Sequence, residues 1–418
     1  MSLTTRVLLA LILGAAGGLL LAMWDPVVAI QAADAVQPIG RLWLSALQMT
    51  VVPLVVALVV IGVNTASNAA ASGRTARQAM IVFIVLLTAG AAFTAVASEF
   101  LLSLLPHDAA LAERLQASST TAAAAAPTSL SDWIASIVPS NAINAAAQGA
   151  MLPLVVFALF FGFALTRIDG ERRGRMIDFL QTIADAMIVI VRWVLWAAPL
   201  GVFALVFAVC ARVGLSMISA LGYYIALQSV IYLSVTLLMY LVAAFFGNVP
   251  VRRFAAGILP AQVVAASTQS SLASLPAMIE SARSRLGYPL SVTSLVLPMA
   301  VSLFRINSPV QYISVIAFIA WVFGTDLSVA QYAVAVALSV VISMGSVGLP
   351  GQASFMATNM PVTQAMGLPV EPLGILLAVD TIPDVFATLG NVTADLTATG
   401  VVAKGAPPDI APDQTTET

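Results

Sequence analysis

Hydrophobic residues in this chain occur mostly in runs long enough to cross a lipid bilayer. A helix needs about 20 apolar residues to cross the ~30 Å hydrocarbon core, and six runs before residue 250 approach or exceed that length: 6–24, 42–66, 78–105, 134–166, 179–211 and 220–246. The first run is longer than the apolar part of a signal peptide, and no small-residue cleavage site follows it. The pattern therefore predicts an all-α, polytopic membrane protein whose first spanning helix begins near residue 6.

Two polar segments interrupt the apolar region 251–402. The first is STQSSLASLP at 267–276, and the second is SMGSVGLPG at 343–351. Backbone outside regular helix is tolerated at membrane depth only where protein or a water-filled cavity covers it. We therefore predict two re-entrant helical hairpins, at 251–282 and 331–366, with these segments as their tips. The alternative is a pair of ordinary surface loops that join four short helices.

Basic residues fall in alternate connections between the apolar runs, and cytoplasmic connections carry the excess of Lys and Arg in membrane proteins. This predicts cytoplasmic N- and C-termini, a first hairpin that opens from the cytoplasm and a second that opens from outside. The basic connections alternate consistently between the two sides only if each hairpin enters and leaves the membrane on the same side. The cytoplasmic set is Arg6, Arg74, Arg77, Arg167, Arg172, Arg173, Arg175, Arg252, Arg253, Arg283, Arg285 and Lys404, and the opposite set is Arg41, Arg114 and Arg212.

Composition agrees with a membrane protein and excludes several classes of function. The 418 residues are 60% apolar and only 9% charged, with a mean hydropathy of +1.01, whereas soluble domains carry about 25% charged residues. A net charge of −2 gives no basic field for nucleic acid. With one cysteine (Cys210) and one histidine (His107), zinc or haem chemistry is not expected. The sequence shows no nucleophile–base pair that would indicate an enzyme, and no organic cofactor is predicted.

Three acids lie within the last long apolar segment, AVDTIPDVFATLGNVTADLTATG (378–400). Asp380, Asp384, Thr388, Asn391 and Asp395 follow one another at steps of four, four, three and four, which places them on one stripe of a helix at roughly 100° per residue. Because an ionised carboxylate in lipid costs at least ~2.5 kcal/mol, the stripe should face protein. Two interpretations are open: a polar seam between helices, or a binding site for a cation, a substrate or both.

Five features together resemble the glutamate transporter homologues, the dicarboxylate/amino acid:cation symporter family. In chain order they are VVPLVVALVVIGV, APLGVFAL, the Ser-rich first tip, the Gly/Pro-rich second tip, and the motif DxxxDxxxTxxNVTxDLT that begins at Asp380. The likeness covers nearly the whole chain. It implies eight spanning helices plus two hairpins, a homotrimer, and an elevator movement of a transport domain against a scaffold.

The resemblance also implies a division of the chain. Scaffold helices one and two would occupy 1–76, and transport-domain helix three would occupy 77–105. An outer loop with scaffold helices four and five would fill 106–215, and the rest of the transport domain would fill 216–403. The Pro-rich, polar tail 404–418 is predicted to be disordered.

The two tips are the expected site for a substrate carboxylate. Hydroxyls and free backbone N–H groups at the start of a helix favour an anion. By resemblance the candidates are Ser270 and Ser271 in the first tip and the backbone of Val347 and Gly348 in the second. For either serine, helix capping is the structural alternative.

The final helix supplies the other candidates that the resemblance implies. Asp384 would hold the substrate amino group, and Thr388 and Asn391 would also contact substrate. Asn307, Asn391 and Asp395 match positions that ligate sodium, and carboxylate and amide oxygens suit a small hard cation. Asp380 matches a further buried acid, although it could equally accept a hydrogen bond from a helix N–H or a hydroxyl. Pro383 should kink this helix.

Three departures from the family pattern bear on specificity. Ala387 stands where the acidic-substrate members carry an arginine, and Gln269 stands at the alternative arginine position in the first tip. The family motif Asn-Met-Asp-Gly-Thr is replaced by NSPVQ at 307–311, ending in Gln311. Pro309 thus replaces an aspartate that ligates a cation in the family, which predicts that one cation site is lost or rebuilt.

Arg305 is a new element, because the family has a small or neutral residue there. A guanidinium cannot be buried without a partner. It could bind a substrate carboxylate bidentately, it could act as a built-in cation beside Asp384 or Asp395, or it could point to a membrane interface.

The sequence thus predicts a secondary active, cation-coupled symporter of a small amino acid or carboxylate in the cytoplasmic membrane, with sodium as the coupling ion. The alternatives are a sodium-independent transporter of a dicarboxylate, driven by protons or exchange, and an anion channel-like relative. The expected partners are the substrate, the lipid bilayer and two further copies of the chain.

Overall fold

The computed structural model describes residues 3–71, 73–106, 137–345 and 351–404, and within these ranges every regular element is a helix. The α-helices, numbered in chain order, are α1 (Leu3–Trp24), α2 (Pro26–Gln48), α3 (Val51–Ala71), α4 (Arg74–Ser103), α5 (Ala142–Ala147), α6 (Met151–Leu165), α7 (Gly170–Trp196), α8 (Ala198–Val213), α9 (Leu215–Phe245), α10 (Val251–Thr268), α11 (Ser271–Glu280), α12 (Leu290–Leu303), α13 (Asn307–Val322), α14 (Val329–Gly345), α15 (Gly351–Ala365), α16 (Glu371–Val379) and α17 (Thr381–Ala403). A π-helical turn, Ser281–Leu286, follows α11.

The predicted class, an all-α polytopic membrane protein, is confirmed. Seven helical segments in the described ranges are long and apolar enough to cross a membrane, and α6, α8 and α14 are shorter apolar helices. The seven segments are Thr5–Trp24, Pro26–Ala71, Arg74–Ser103, Gly170–Trp196, Ile218–Phe245, Leu290–Val322 and Thr381–Ala403. The predicted tail and the outer loop from 107 to 136 lie outside the described residues, apart from Lys404.

Two predicted helix boundaries were wrong for a local reason. The second run was expected at 42–66, but α2 already begins at Pro26, because the Asp25 side chain caps it by accepting the backbone N–H groups of Val27 at 2.8 Å and Val28 at 3.2 Å. The fifth run was expected at 179–211, but α7 begins at Gly170 behind the cap of Asp169. The polar first turn of α7 hid its start from a hydropathy pattern, and polar residues between 31 and 41 separate the apolar first turn of α2 from the apolar run that follows.

The interrupted region 251–402 forms two packed helix pairs. Helices α10 and α11 pack against each other and are joined by Gln269 and Ser270, and α14 packs against α15. Gln269 has a left-handed backbone (φ 50°) that ends α10, and Ser270 is the N-cap of α11. The second junction, 346–350, lies outside the described residues. Whether the pairs are re-entrant stays a prediction.

Two helices are interrupted inside apolar segments. The chain leaves helical geometry between α12 and α13, at 304–306. Between α16 and α17 only the helical hydrogen bonding is interrupted, because Pro383 has no N–H to donate to Val379, and Asp380 keeps helical dihedrals (φ −59°, ψ −26°). The kink at Pro383 and the polar stripe from Asp380 to Asp395 stay predictions.

The chain forms two compact units, each with its own packing. The first unit contains 1–65, 90–231 and 308–383, and the second contains 66–89, 232–307 and 384–418. In the first, the Trp43 indole donates to the Val194 carbonyl oxygen at 3.0 Å and Arg212 pairs with Asp34 at 2.5 Å. In the second, a core around Phe254 joins α10 to α17 and the π-helical turn. The predicted division into scaffold and transport domains stays a prediction.

Candidate functional site

The break before α13 is fastened to α17 within the second unit. The backbone N–H of Asn307 donates to Asn391 Oδ1 at 2.9 Å, and the Asn307 amide donates to the Ala387 carbonyl oxygen at 2.8 Å. The first N–H groups of a helix have no partner inside it, so Asn391 satisfies one of them from another helix. Two residues predicted for the site, Asn307 and Asn391, are thereby brought into direct contact.

Two oxygen atoms near this contact stand out. Asn307 is 2% exposed and Asp395 1% exposed, and within the described ranges the Oδ1 atom of each has no hydrogen-bond partner. Buried polar atoms in native proteins almost always have a partner, so each exception requires an explanation. An amide oxygen and a carboxylate oxygen are both hard ligands, so the arrangement can accept a small cation. The described ranges contain no cluster of three or more His, Cys, Asp or Glu side chains suited to a metal.

Arg305 lies in the same break, and it is partly buried. Its positive charge acts on the carboxyl groups of both Asp384 and Asp395. The preceding Phe304 is buried and stacks on Phe83 with ring centroids 4.7 Å apart and planes at 11°. This packing fixes the backbone that carries Arg305 in the break before α13.

The other polar side chains of α17 have mixed surroundings. Thr388 is buried, and its hydroxyl donates to the Asp384 carbonyl oxygen one turn earlier at 3.0 Å. Asp384 is partly buried, and Ala387 is buried with its carbonyl oxygen engaged by Asn307. The methyl group of Ala387 thus occupies the face where a longer side chain would otherwise project.

Sequence reasoning missed two residues that shape this region. Gly390 is one: a Cβ there would lie 2.2 Å from Asn307 Nδ2 and 2.7 Å from Thr236 Oγ1. Gln262 is another, and its amide donates to Thr393 Oγ1 at 2.8 Å, tying α10 to α17. A glutamine within the apolar limb of a hairpin was a usable signal, whereas the need for glycine at 390 was not visible in the sequence.

The first tip joins α10 to α11 and contains both candidate serines. One of them caps α11, and the other is the first residue of that helix. The Ser270 hydroxyl accepts the Ala273 N–H at 3.2 Å, so the capping alternative describes this residue. Ser271 is the first residue of α11 and is partly buried, and Gln269 is exposed. Val347 and Gly348 of the second tip lie outside the described residues.

A separate polar network lies in the first unit. Asp380 Oδ1 accepts hydrogen bonds from the Gln311 amide at 2.9 Å and from the Tyr224 hydroxyl at 3.4 Å. The Asn359 amide donates to Gln311 Oε1 at 3.3 Å. The alternative considered for Asp380 was that it accepts a hydrogen bond from a hydroxyl, and the contact with Tyr224 matches it. The Gln311 amide is the nearer of the two donors. Tyr224 and Asn359 were not identified from the sequence.

Broken helices that carry polar side chains inside an all-helical membrane protein are typical of secondary transporters, and this is the class of protein that the fold and the site define. The chain belongs to the sodium:dicarboxylate symporter family, whose sequence profile matches residues 3–405. The recognition made from the motifs is thereby confirmed, and the family consists of transporters rather than enzymes.

Three relatives span most of the chain at low identity. The proton/glutamate-aspartate symporter of Escherichia coli (strain K12) is 29% identical over 88% of this chain and 84% of its own length. The proton/sodium-glutamate symport protein of Bacillus subtilis (strain 168) is 28% identical over 96% and 92%. The C4-dicarboxylate transport protein of Bacillus subtilis (strain 168) is 26% identical over 96% and 93%.

Proposed function

We propose that this protein is a cation-coupled symporter of a small amino acid or carboxylate across the cytoplasmic membrane. The carrying observation is a pair of buried oxygen atoms: Asn307 and Asp395 are 2% and 1% exposed, and the Oδ1 atom of each has no hydrogen-bond partner among the described residues. A buried amide or carboxylate oxygen without a donor favours a ligand part that brings a positive charge, such as the ammonium group of an amino acid or a sodium ion.

The substrate roles follow from the acceptors of α17 and from the start of α11. Asp384 receives the ammonium group, and Thr388 and Asn391 lie one and two turns further along the same helix. The substrate carboxylate meets N–H groups at the start of α11 near Ser271, because the N-terminus of a helix favours an anion. Ser270, Gln269 and the backbone of Val347 and Gly348 complete the proposed substrate contacts.

Sodium is the proposed coupling ion, and its ligands are Asn307, Asn391 and Asp395. Supporting this, the Asn307 and Asp395 Oδ1 atoms are buried and have no hydrogen-bond partner among the described residues. Asn391 Oδ1 already accepts from Asn307 N–H, but an amide oxygen has a second lone pair. Arg305 acts as a built-in cation that replaces a second ion, since Pro309 stands where the family has its aspartate.

A sodium-independent transporter of a dicarboxylate is the second candidate. The loss of the aspartate at Pro309 and the partly buried Arg305 favour it, because an arginine can bind a substrate carboxylate in place of an ion. One relative is named as a proton symporter and another as a C4-dicarboxylate transporter.

The assembly and its placement in the membrane are further parts of the proposal. We propose a homotrimer in which the predicted transport domain of each copy, residues 77–105 and 216–403, moves across the membrane as an elevator. The N- and C-termini lie in the cytoplasm. The basic residues of alternate connections support this orientation.

Uptake into proteoliposomes tests the proposal. Aspartate, succinate, serine and alanine are each supplied with an inward sodium gradient, with an inward proton gradient, or with neither. Accumulation of one amino acid only under the sodium gradient is expected. Succinate uptake that ignores sodium would overturn the first candidate and support the second, and binding without any uptake would overturn both.

A further inference from the structure

The second unit contains an open recess of about 780 Å³ at the C-terminal end of α17, beyond the last acid of that helix. It is formed where the end of α9, the start of α10, the π-helical turn, the start of α12 and the end of α17 meet. Its lining includes three cationic side chains, Arg253, Arg283 and Lys404, and no acidic residue among the described residues that line it. The recess therefore has the charge of an anion-binding site.

Buried hydrogen-bonding capacity distinguishes the recess from an ordinary basic surface. Tyr288 lines it, is 8% exposed, and has a hydroxyl without a hydrogen-bond partner among the described residues. Burial raises the pKa of the Tyr288 phenol, and the positive charge of Arg253 opposes that shift. The phenol is thus protonated at neutral pH and can donate one hydrogen bond into the recess.

Local backbone geometry keeps this hydroxyl in place. A Cβ at Gly400 would lie 2.4 Å from the Tyr288 hydroxyl oxygen, so α17 has a glycine where the phenol approaches it. Gly287 has φ 76°, and the Arg253 guanidinium donates to the Leu286 carbonyl oxygen at 3.3 Å. These contacts bring Arg253 beside the phenol.

The π-helical turn and two helix ends add to the positive character. The turn carries Arg283, which lines the recess, and isolated π-helical turns occur often at functional sites. Helix α10 begins at Val251, two residues after the lining residue Val249, and α12 begins at Leu290 directly after the lining residue Pro289. Helix N-termini carry partial positive charge and free N–H groups.

We propose that this recess binds a phosphate group, with Arg283, Lys404 and Arg253 as cationic ligands and the Tyr288 hydroxyl as a buried donor. The group belongs either to the headgroup of an anionic phospholipid or to a soluble phosphate. The recess joins the hairpin α10–α11 to both broken helices, so a bound anion would hold these elements together. This site is separate from the transport site and does not depend on the identity of the transported substrate.

Two charge-matched pairs of substitutions test the proposal. The recess variant is Arg283→Gln with Lys404→Gln. The control variant is Arg252→Gln with Arg285→Gln, two exposed arginines of the same region that do not line the recess. Both pairs remove two positive charges, so a general electrostatic attraction to anions would weaken equally in both. The full chain is placed in nanodiscs of neutral phosphatidylcholine, and inorganic phosphate binding is measured by calorimetry.

The expected result is phosphate binding that the recess variant weakens at least about tenfold, because losing even one of its two charged hydrogen bonds has that effect, whereas the control changes it less than about twofold. Tyr288→Phe, which removes only the hydroxyl, should weaken binding while leaving the unfolding temperature unchanged. Nanodiscs that contain phosphatidylglycerol separate the two sources: a rise in unfolding temperature specific to that lipid, lost in the recess variant, identifies a headgroup. Equal losses in both charge pairs, or no response to either probe, would overturn the proposal.

Discussion

At the scale of single residues, Arg305 decides between two ways of using a charge inside a membrane. If the Arg305 guanidinium neutralises the acids of α17, it stabilises the protein whether or not substrate is bound. If it binds a substrate carboxylate instead, it stabilises only the complex with substrate. Burying an arginine without a counter-charge is costly, and Asp384 and Asp395 lie close enough to Arg305 for its charge to act on them. This favours the built-in cation.

Arg305→Ala is therefore expected to preserve substrate binding but make it depend more strongly on sodium. Removing the arginine leaves two acids with no built-in counter-charge, so a second cation should take its place. We expect binding of the transported panel member to be about tenfold weaker without sodium than with it, a difference of about 1.4 kcal/mol. Binding measured by calorimetry with and without sodium checks this, with Arg285→Ala as a control outside the site. Loss of binding under both conditions would instead identify a substrate clamp.

Gly390 makes a second prediction at this scale. The Cβ of Gly390→Ala would lie 2.2 Å from the Asn307 amide nitrogen, so the hydrogen bond from Asn307 to Ala387 must break or α17 must shift. Overpacking of this kind costs about 1–3 kcal/mol, and sodium-dependent uptake should fall with it. Gly222→Ala is the control, because nothing lies within 4 Å of its added Cβ and alanine favours a helix. Thermal unfolding in detergent and uptake rates measure both, and equal effects of the two substitutions would contradict the argument.

At the scale of elements, the sequence predicts what periodicity and composition can encode. Apolar runs predicted the spanning helices, and Pro383 predicted the interruption before α17. The contact between Asn307 and Asn391 joins positions 84 apart in the chain, and no local pattern carries such a distance. The start of α7 was missed because its first turn is polar, and the start of α2 was missed because polar residues follow its apolar first turn. Gly390 was missed because its neighbours come from other helices. The candidate residues on α17 came from the family motif together with the spacing of its polar side chains.

The packing of α1 against α8 allows a prediction for an element pair in the first unit. A Cβ at Gly18 would lie 2.6 Å from the Phe207 carbonyl oxygen and 2.9 Å from the Ala211 nitrogen, whereas one at Gly17 would come no closer than 3.4 Å, to the Phe207 ring. Close backbone approach through small residues is a common way for helices to pack in membranes. Gly18→Ala should therefore destabilise the protein by about 1–3 kcal/mol, and Gly17→Ala should be nearly neutral. Unfolding in detergent compares the two, and a neutral Gly18→Ala would show that the helices are not held this closely.

At the scale of the whole molecule, the orientation of α10 and α11 decides how this part of the chain enters the membrane. Helix α11 has 10 residues and the π-helical turn after it has 6, which together reach about 24 Å at 1.5 Å per residue, less than the ~30 Å hydrocarbon core. The pair is thus better suited to enter and leave on one side than to place α11 across the bilayer alone. A re-entrant pair puts Gln269 and Ser270 at membrane depth, where polar backbone must face protein or water.

Cysteine labelling tests this orientation directly, because the chain has one cysteine and Cys210 is buried. In a Cys210→Ser background, Arg252→Cys and Ser284→Cys place a thiol at exposed positions on either side of the α10–α11 pair. We expect a membrane-impermeant maleimide to label both only after the membrane is permeabilised. Ser328→Cys, before α14, should be labelled in intact cells, since the second pair is predicted to open from outside. If Arg252→Cys and Ser284→Cys were labelled from opposite sides, the α10–α11 pair would cross the membrane and the prediction of a re-entrant first hairpin would be wrong.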